Sequence, residues 1–182
     1  MVSFEEYFRS ALTYGAFLER YAAPDHQRQW AASHERIRLS PTQRELLRGF
    51  VRQMNVLCMA GAWCPDCAMQ CPIFEHFAHV TPRINLRFID RDADAQFQEE
   101  LRLCGGARVP VVIFLSEEFH ECARCGDRTL AQYRALVASL SGAGSATPAD
   151  LQSAIVEDWL REFERVQLML RHSPRLRQRH GD

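Results

Sequence analysis

Residues 55–67, which read NVLCMAGAWCPDC, combine an apolar run with two closely spaced cysteines. The first six residues are nearly all apolar and are followed by Gly61, a pattern typical of a short strand covered on both faces. Pro65 is favoured at the first position of a helix, so a helix is predicted to start there. Cys64 and Cys67 therefore lie where a buried strand passes into a helix.

This position has a consequence for thiol chemistry. At a helix N-terminus, unpaired N–H groups and the positive end of the helix dipole favour thiolate over thiol, so Cys64 is predicted to be a nucleophile. Cys67, three residues later, returns to the same face of the helix within reach of Cys64. One thiol can attack a disulfide and the other can release the product. No metal or organic cofactor is needed, because the thiols carry the electrons.

The following residues alternate between helix and strand patterns. Together with a strand at Asn55–Ala60, their order predicts an α/β fold with a mixed central sheet flanked by helices. The predicted elements are a helix from Pro65 to about His79, kinked at Pro72, a strand at Ile84–Asp90, a helix at Ala93–Leu103, a hairpin of Val111–Leu115 and Phe119–Arg124, and a core helix at Asp127–Leu140.

Both ends of the chain add helices to this unit. Residues 1–53 are predicted to be an N-terminal helical extension, residues 54–140 the α/β domain, the Gly- and Ser-rich residues 141–149 a linker, and residues 150–182 a C-terminal amphipathic helix with a basic tail. The apolar stripe of the last helix must pack either on its own domain or against a second copy in a homodimer. It comprises Leu151, Ile155, Trp159, Phe163, Val166 and Leu170.

The composition is that of one ordinary globular core. The 182 residues are 47% hydrophobic and carry a net charge of -1, so no overall attraction to nucleic acid or to an anionic membrane is expected. No apolar run in the sequence approaches the roughly 18 residues of a membrane span. The start MVSFEEYF is unlike a signal peptide, which favours a cytoplasmic location. Seven cysteines, an odd number, also fit a reducing compartment better than an extracellular disulfide framework.

These features together resemble the thioredoxin family. The resemblance covers residues 55–140, about half of the chain. It rests on WCPDC at residues 63–67, on Pro72 five residues further along the helix, on Val109 and Pro110 opening the next strand, and on Cys125-Gly126-Asp127 after the hairpin. A WCxxC after a buried strand, with an X-Pro at a later strand start, is a specific combination, whereas a bare CxxC is a weak signal.

The resemblance implies a thiol-disulfide oxidoreductase. Cys64 would be the exposed attacking thiol and Cys67 the buried resolving thiol, with a disulfide-containing protein or small molecule as substrate and an upstream reductant. Pro110 would be a cis-proline that faces the pair. The surface around the pair would consist of Trp63, Pro65, Asp66, Val109 and Pro110.

Two positions depart from the family pattern. Where the family commonly has a buried acid, six residues before the first active-site cysteine, this chain has Cys58. Asp66 lies between the two thiols, and its charge disfavours a neighbouring thiolate. The pKa of Cys64 is therefore expected to be lowered less than in strongly oxidising relatives, which favours a reductase.

The other cysteines have structural and functional interpretations. Cys71 follows Cys67 on the same helical face, either as a packing residue or as an auxiliary thiol, while Cys58 and Cys104 are expected to pack in the core. Cys122 and Cys125 could form a second redox pair, or could complete a zinc site with the first pair. The alternative function is thus a redox-inert scaffold of the same fold, with or without structural zinc.

Overall fold

The computed structural model describes residues 3–140 and 148–181, so most of the predicted linker and the last residue of the tail lie outside the described residues. The strands are β1 (Met54–Ala60), β2 (Ile84–Asp90), β3 (Val111–Leu115) and β4 (Glu121–Gly126). The helices are α1 (Phe4–Ser10), α2 (Tyr14–Tyr21), α3 (Pro24–Arg36), α4 (Pro41–Arg48), α5 (Pro65–Val80), α6 (Ala95–Glu100), α7 (Leu130–Leu140), α8 (Pro148–His172) and α9 (Pro174–His180).

The four strands form one mixed sheet in the order β2-β1-β3-β4. Strand β1 is parallel to β2 and antiparallel to β3, and β3 is antiparallel to β4. All seven residues of β1 are buried, as expected for a central strand covered on both faces. The predicted α/β class, with a mixed sheet flanked by helices, is confirmed. Strands β2 and β3 have the predicted bounds, whereas the helix predicted at Ala93–Leu103 is confined to α6.

The N-terminal helices pack on the sheet. The predicted helical extension begins with two short helices, and the chain breaks between α1 and α2 because Leu12 and Phe88 exchange backbone hydrogen bonds of 2.8 and 2.7 Å. Thr13 then caps α2 through its side chain. The Phe17 ring centroid lies 5.9 Å from that of Trp30 and 5.6 Å from that of Phe88, so the N-terminal residues share the core of the sheet.

The C-terminal helix α8 docks on its own domain. Phe163 is fully buried, and its ring centroid lies 5.2 Å from that of Phe77 on α5 and 4.9 Å from that of Phe114 on β3. The Trp159 indole N–H donates to the Gln70 side chain over 2.8 Å. Of the two arrangements considered for the apolar stripe, the structure shows the intramolecular one, which leaves this face covered rather than free for a second copy.

Helix α7 is not the core helix that the sequence predicted. Leu136, Val137 and Leu140 are 46%, 62% and 87% exposed, and Gln132 is its buried residue. The longer stripe of α8 occupies the face of α5 and β3, so α7 packs beside α8 rather than over the sheet. Apolar composition alone did not distinguish the two helices.

Candidate active site

The pair Cys64 and Cys67 lies at the carboxyl end of β1, where the chain turns into α5. Cys64 is the N-cap residue, with extended backbone angles, and its N–H donates to the Gly61 carbonyl over 3.0 Å. Pro65 occupies the first helical position. The buried Trp30 indole N–H donates to the Ala62 carbonyl over 2.8 Å, and this bond holds the turn in place.

The two thiols contact each other and the backbone opposite. Cys64 is 6% exposed and Cys67 is fully buried, so Cys64 is the more accessible thiol but less exposed than predicted. Cys67 is the neighbour that most strongly raises the pKa of Cys64. The Cys64 Sγ also lies 3.7 Å from the Val109 carbonyl oxygen, and the Gly61 N–H donates to the Cys67 Sγ over 3.4 Å.

The proximity of the two thiols separates their pKa values. It is the largest cause that raises the pKa of Cys64, and burial adds to it, whereas the backbone amides of Asp66 and Cys67 act in the opposite direction. Burial opposes ionisation of Cys67, but hydrogen bonds from Cys64, Cys71 and the Gly61 amide outweigh it and lower the pKa of Cys67 to about 5. The sequence predicted the lowered pKa for Cys64. In the structure it belongs to Cys67, because more donors surround the buried sulfur.

We expect Cys64→Ala to raise the pKa of Cys67, because it removes the strongest hydrogen bond to that thiolate. In wild type, the lowered pKa keeps Cys67 ionised until the pH falls to about 5. In Cys64→Ala, Cys67 should become protonated already at a higher pH as the solution is acidified. Thiolate ultraviolet absorbance, titrated in both proteins, measures the midpoint. The exposed Cys104 gives a matched control, Cys104→Ser, which should leave this midpoint in place. An equal midpoint in Cys64→Ala and wild type would contradict the assignment.

The segment before β3 faces the pair. The Val109–Pro110 peptide bond is cis, and both residues are buried. Gly126, at the end of β4, approaches this segment closely, since a Cβ at that position would lie 2.4 Å from the Pro110 carbonyl oxygen. Gly126 also has a φ of 153°, which L side chains rarely adopt. Glycine at residue 126 therefore allows the last strand to close against the Pro110 segment.

Trp63 and Pro65 form the exposed surface next to Cys64. Trp63 is 44% exposed, and its ring lies against Gly61, where a Cβ would come within 2.8 Å of it. The Arg91 guanidinium stacks 4.6 Å above the Trp63 ring centroid. Arg91 follows β2, and its N–H donates to the Ala60 carbonyl over 2.9 Å. A cation is thus fixed beside the pair, a feature that the sequence prediction missed because it depends on strand register.

The Asp66 carboxylate forms an ion pair and a hydrogen bond that the sequence did not reveal. It pairs with the Arg128 guanidinium at 2.6 Å and accepts from Gln132 over 3.4 Å. Arg128 also lies 3.5 Å from the Asp127 carboxylate. The charge of Asp66 still disfavours the Cys67 thiolate, but it is the smallest of the causes acting on that pKa. The sequence predicted this effect for Cys64, whereas in the structure the charge acts on Cys67 and the Asp66 amide lowers the pKa of Cys64.

Cys71 and Cys58 lie behind the pair. Both are fully buried, and their sulfurs are 3.8 Å apart, with Cys58 on β1 and Cys71 on α5. Cys71 also acts on Cys67 and lowers its pKa. The predicted burial of these two cysteines is therefore observed, but Cys104 is exposed and does not pack in the core.

Cys122 and Cys125 have separate surroundings on β4. Residues three apart on a strand point to opposite faces. The Cys122 Sγ lies 3.5 Å from the His120 carbonyl oxygen, and the Cys125 Sγ lies 3.6 Å from the Glu162 carboxylate on α8. This arrangement does not favour a second redox pair at these positions, and it places Cys125 against α8 rather than beside Cys64.

The zinc alternative requires a set of converging ligands. Within residues 3–140 and 148–181, no group of three or more His, Cys, Asp or Glu side chains is arranged to hold a metal ion. The two CxxC segments lie on different elements, and Cys125 contacts a carboxylate on α8. The described residues therefore do not supply the tetrahedral thiolate set that structural zinc uses.

The fold and the site define a thioredoxin-like protein: a mixed sheet with a CxxC pair between a central strand and its following helix. The family model described as thioredoxin matches residues 11–141. The chain therefore belongs to the thioredoxin family. The match begins well before residue 55 and so includes most of the N-terminal helices that the sequence assigned to an extension.

Solved structures show the same fold. A protein of unknown function from Pseudomonas aeruginosa is similar with a TM-score of 0.72 and 22% identity, covering 90% of this chain and 98% of that chain. An HIV epitope-scaffold is similar with a TM-score of 0.71 and 24% identity, with the same coverage. No curated protein matches the chain. Among the described residues, no helix is both long and apolar enough to cross a membrane.

Proposed function

We propose that this protein is a thiol-disulfide oxidoreductase that reduces disulfides of proteins or small molecules through Cys64 and Cys67. The observation that carries the proposal is the placement of both cysteines at the N-terminus of α5, with the Val109 carbonyl oxygen 3.7 Å from the Cys64 sulfur. Thiol exchange needs an accessible sulfur with a second sulfur in reach behind it. Cys64 and Cys67 meet both conditions.

The reaction begins with attack by Cys64 on one sulfur of the substrate disulfide. The Cys64 proton passes to the neighbouring Cys67 thiolate, which leaves Cys64 as the nucleophile. The substrate disulfide breaks, one substrate sulfur leaves and takes up the proton from Cys67, and Cys64 is joined to the other substrate sulfur in a mixed disulfide. Cys67, again a thiolate, then attacks the Cys64 sulfur, and the second substrate sulfur leaves and takes up a proton from solvent. Substrate gains two electrons and two protons, one from Cys64 and one from solvent, and the protein retains a Cys64–Cys67 disulfide.

The surroundings of the pair support this sequence of steps. The lowered pKa of Cys67 favours its ionised form, which is the form required for resolution. Trp63 and Pro65 offer an exposed apolar surface beside Cys64 on which a substrate chain can lie. We further propose that an external thiol reductant restores the pair, and that the protein works in the cytoplasm, where the odd number of cysteines is compatible with free thiols.

Trapping tests the proposal directly. In Cys67→Ser the mixed disulfide on Cys64 cannot be resolved. Incubation with insulin whose disulfides are intact should therefore give a covalent adduct, which dithiothreitol should reduce. Mass spectrometry of the adduct should locate the bond at Cys64. The double variant Cys64→Ser/Cys67→Ser is the control and should form no such adduct. An adduct located at Cys104 or Cys122 instead, with Cys64 free, would contradict the proposal.

A further inference from the structure

Four cysteines follow one another from the surface turn into the core. Cys64 caps α5, Cys67 and Cys71 lie one helical turn apart on it, and the Cys71 sulfur lies 3.8 Å from that of Cys58. The first pair accounts for the proposed reaction, and the inner pair has no part in it. A packing role requires only small apolar side chains and does not require sulfur at both inner positions.

We propose that Cys58 and Cys71 are a second, buried redox pair, which receives the disulfide from Cys64 and Cys67 by intramolecular exchange. The inference rests on the proposed function, because the outer disulfide must form first. Cys58 and Cys71 are fully buried, so an external substrate has no direct access to them. The outer pair is their route to oxidation.

The geometry allows each transfer. Residues four apart on a helix have Cα atoms about 6 Å apart, which lies within the range of about 4.4–6.8 Å found for disulfides. Cys67 and Cys71 are such a pair on α5. Pro72 follows Cys71 inside the helix and lacks the N–H that would bond the carbonyl of Ala68. This turn of α5 therefore has one helical hydrogen bond fewer to resist the local movement that a transient bond requires.

The exchange balances without another reactant. The Cys71 sulfur attacks the Cys67 sulfur of the outer disulfide, the Cys64–Cys67 bond breaks, and Cys64 leaves and takes up the proton that Cys71 lost. The Cys58 sulfur then attacks the Cys71 sulfur, the Cys67–Cys71 bond breaks, and Cys67 takes up the proton of Cys58. One disulfide has moved inward, and Cys64 and Cys67 are again reduced.

Two consequences follow. A fully reduced chain can reduce two substrate disulfides before it needs an external reductant, because each pair holds two electrons. The second turnover should be slower than the first, since burial raises the pKa of both Cys58 and Cys71 and only a thiolate attacks. Raising the pH should therefore accelerate the inward transfer.

The test uses the full-length, fully reduced protein freed of reductant and mixed with excess oxidised glutathione. Samples taken over time are quenched in acid and denatured, and their free thiols are alkylated. The chain is then cleaved on the C-terminal side of Trp63 and on the N-terminal side of Asp66, and the disulfides are mapped. These cuts separate Cys58, Cys64 and the Cys67–Cys71 segment from one another. We expect wild type to form two intrachain disulfides per chain in two phases, one of them Cys58–Cys71. Cys58→Ala and Cys71→Ala should form one intrachain disulfide, and the exposed-site control Cys104→Ser should form two.

The outcomes separate this inference from the proposed function. A Cys64–Cys67 disulfide in wild type, with Cys58 and Cys71 still alkylated after long incubation at mildly alkaline pH, would overturn the inner pair and leave the proposed function intact. Failure of any Cys64–Cys67 disulfide to form, in wild type and in Cys71→Ala, would overturn both. Mapping in wild type does not depend on the folding of the core variants, which circular dichroism checks separately.

Discussion

Replacing Cys64 with Ser is expected to abolish catalysed disulfide reduction, leaving insulin to be reduced only at the rate of dithiothreitol alone. A serine hydroxyl is not ionised near neutral pH and cannot form a mixed disulfide, so the first covalent step is lost. The second thiol does not replace it, because Cys67 is fully buried behind Cys64. The turbidity that follows insulin reduction measures the effect, with wild type and the dithiothreitol blank in parallel.

A matched control is the exposed Cys104, which lies outside the pair. Cys104→Ser should retain the wild-type rate, which separates loss of the nucleophile from loss of any single thiol. If Cys64→Ser kept a rate clearly above the blank, another cysteine would be the nucleophile and the pair at 64 and 67 would be structural. If wild type itself did not exceed the blank, the redox-inert scaffold would be favoured instead.

The elements around the site could be predicted because their signals are local. A short apolar run, a following Gly61 and a Pro65 at the helix start define β1, the turn and α5 without knowledge of the remaining chain. The apolar patterns of β2 and β3 likewise gave their observed bounds. Local pattern sufficed wherever burial of one segment fixed its conformation.

Contacts between distant segments could not be predicted in the same way. The break between α1 and α2 arises because Leu12 pairs with Phe88 on β2, a contact between distant segments. The pKa of Cys67 depends on Cys71 and on the Gly61 amide, which come close to it only in the folded chain. The ion pair of Asp66 depends on Arg128, which is close to it only in the folded chain. The sequence thus indicated the reactive residues but not the contacts that set their ionisation.

The position of α8 also bears on the active site. Trp159 on α8 donates to the Gln70 side chain, and the Gln70 amide donates to the Asp127 carbonyl over 2.9 Å. Asp127 follows Gly126, which lies against the Pro110 segment. Docking of α8 therefore supports both α5, which carries the thiols, and the segment that faces them. A change that loosens α8 should weaken this support together with the core.

Phe163→Ala is expected to lower the free energy of unfolding by about 3–5 kcal/mol, the usual cost of removing a fully buried aromatic ring. Phe163 is completely buried between the rings of Phe74, Phe77 and Phe114, so the substitution leaves a cavity where α5, β3 and α8 meet. Urea unfolding followed by far-ultraviolet circular dichroism measures the change as a lower midpoint. Phe163→Leu, which fills part of the cavity, should recover part of the loss.

The control lies on the same helix, where Leu168 is 52% exposed. Leu168→Ala should change the unfolding free energy by no more than about 0.5 kcal/mol, because surface substitutions outside special contacts rarely exceed that. Equal, small effects of Phe163→Ala and Leu168→Ala would show that the stripe of α8 does not dock on its own domain in solution. The homodimer arrangement would then have to account for the stripe, and its unfolding midpoint would depend on protein concentration. A large effect at Phe163 alone, independent of concentration, places the stripe within a single chain and makes α8 part of the framework that holds the two thiols together.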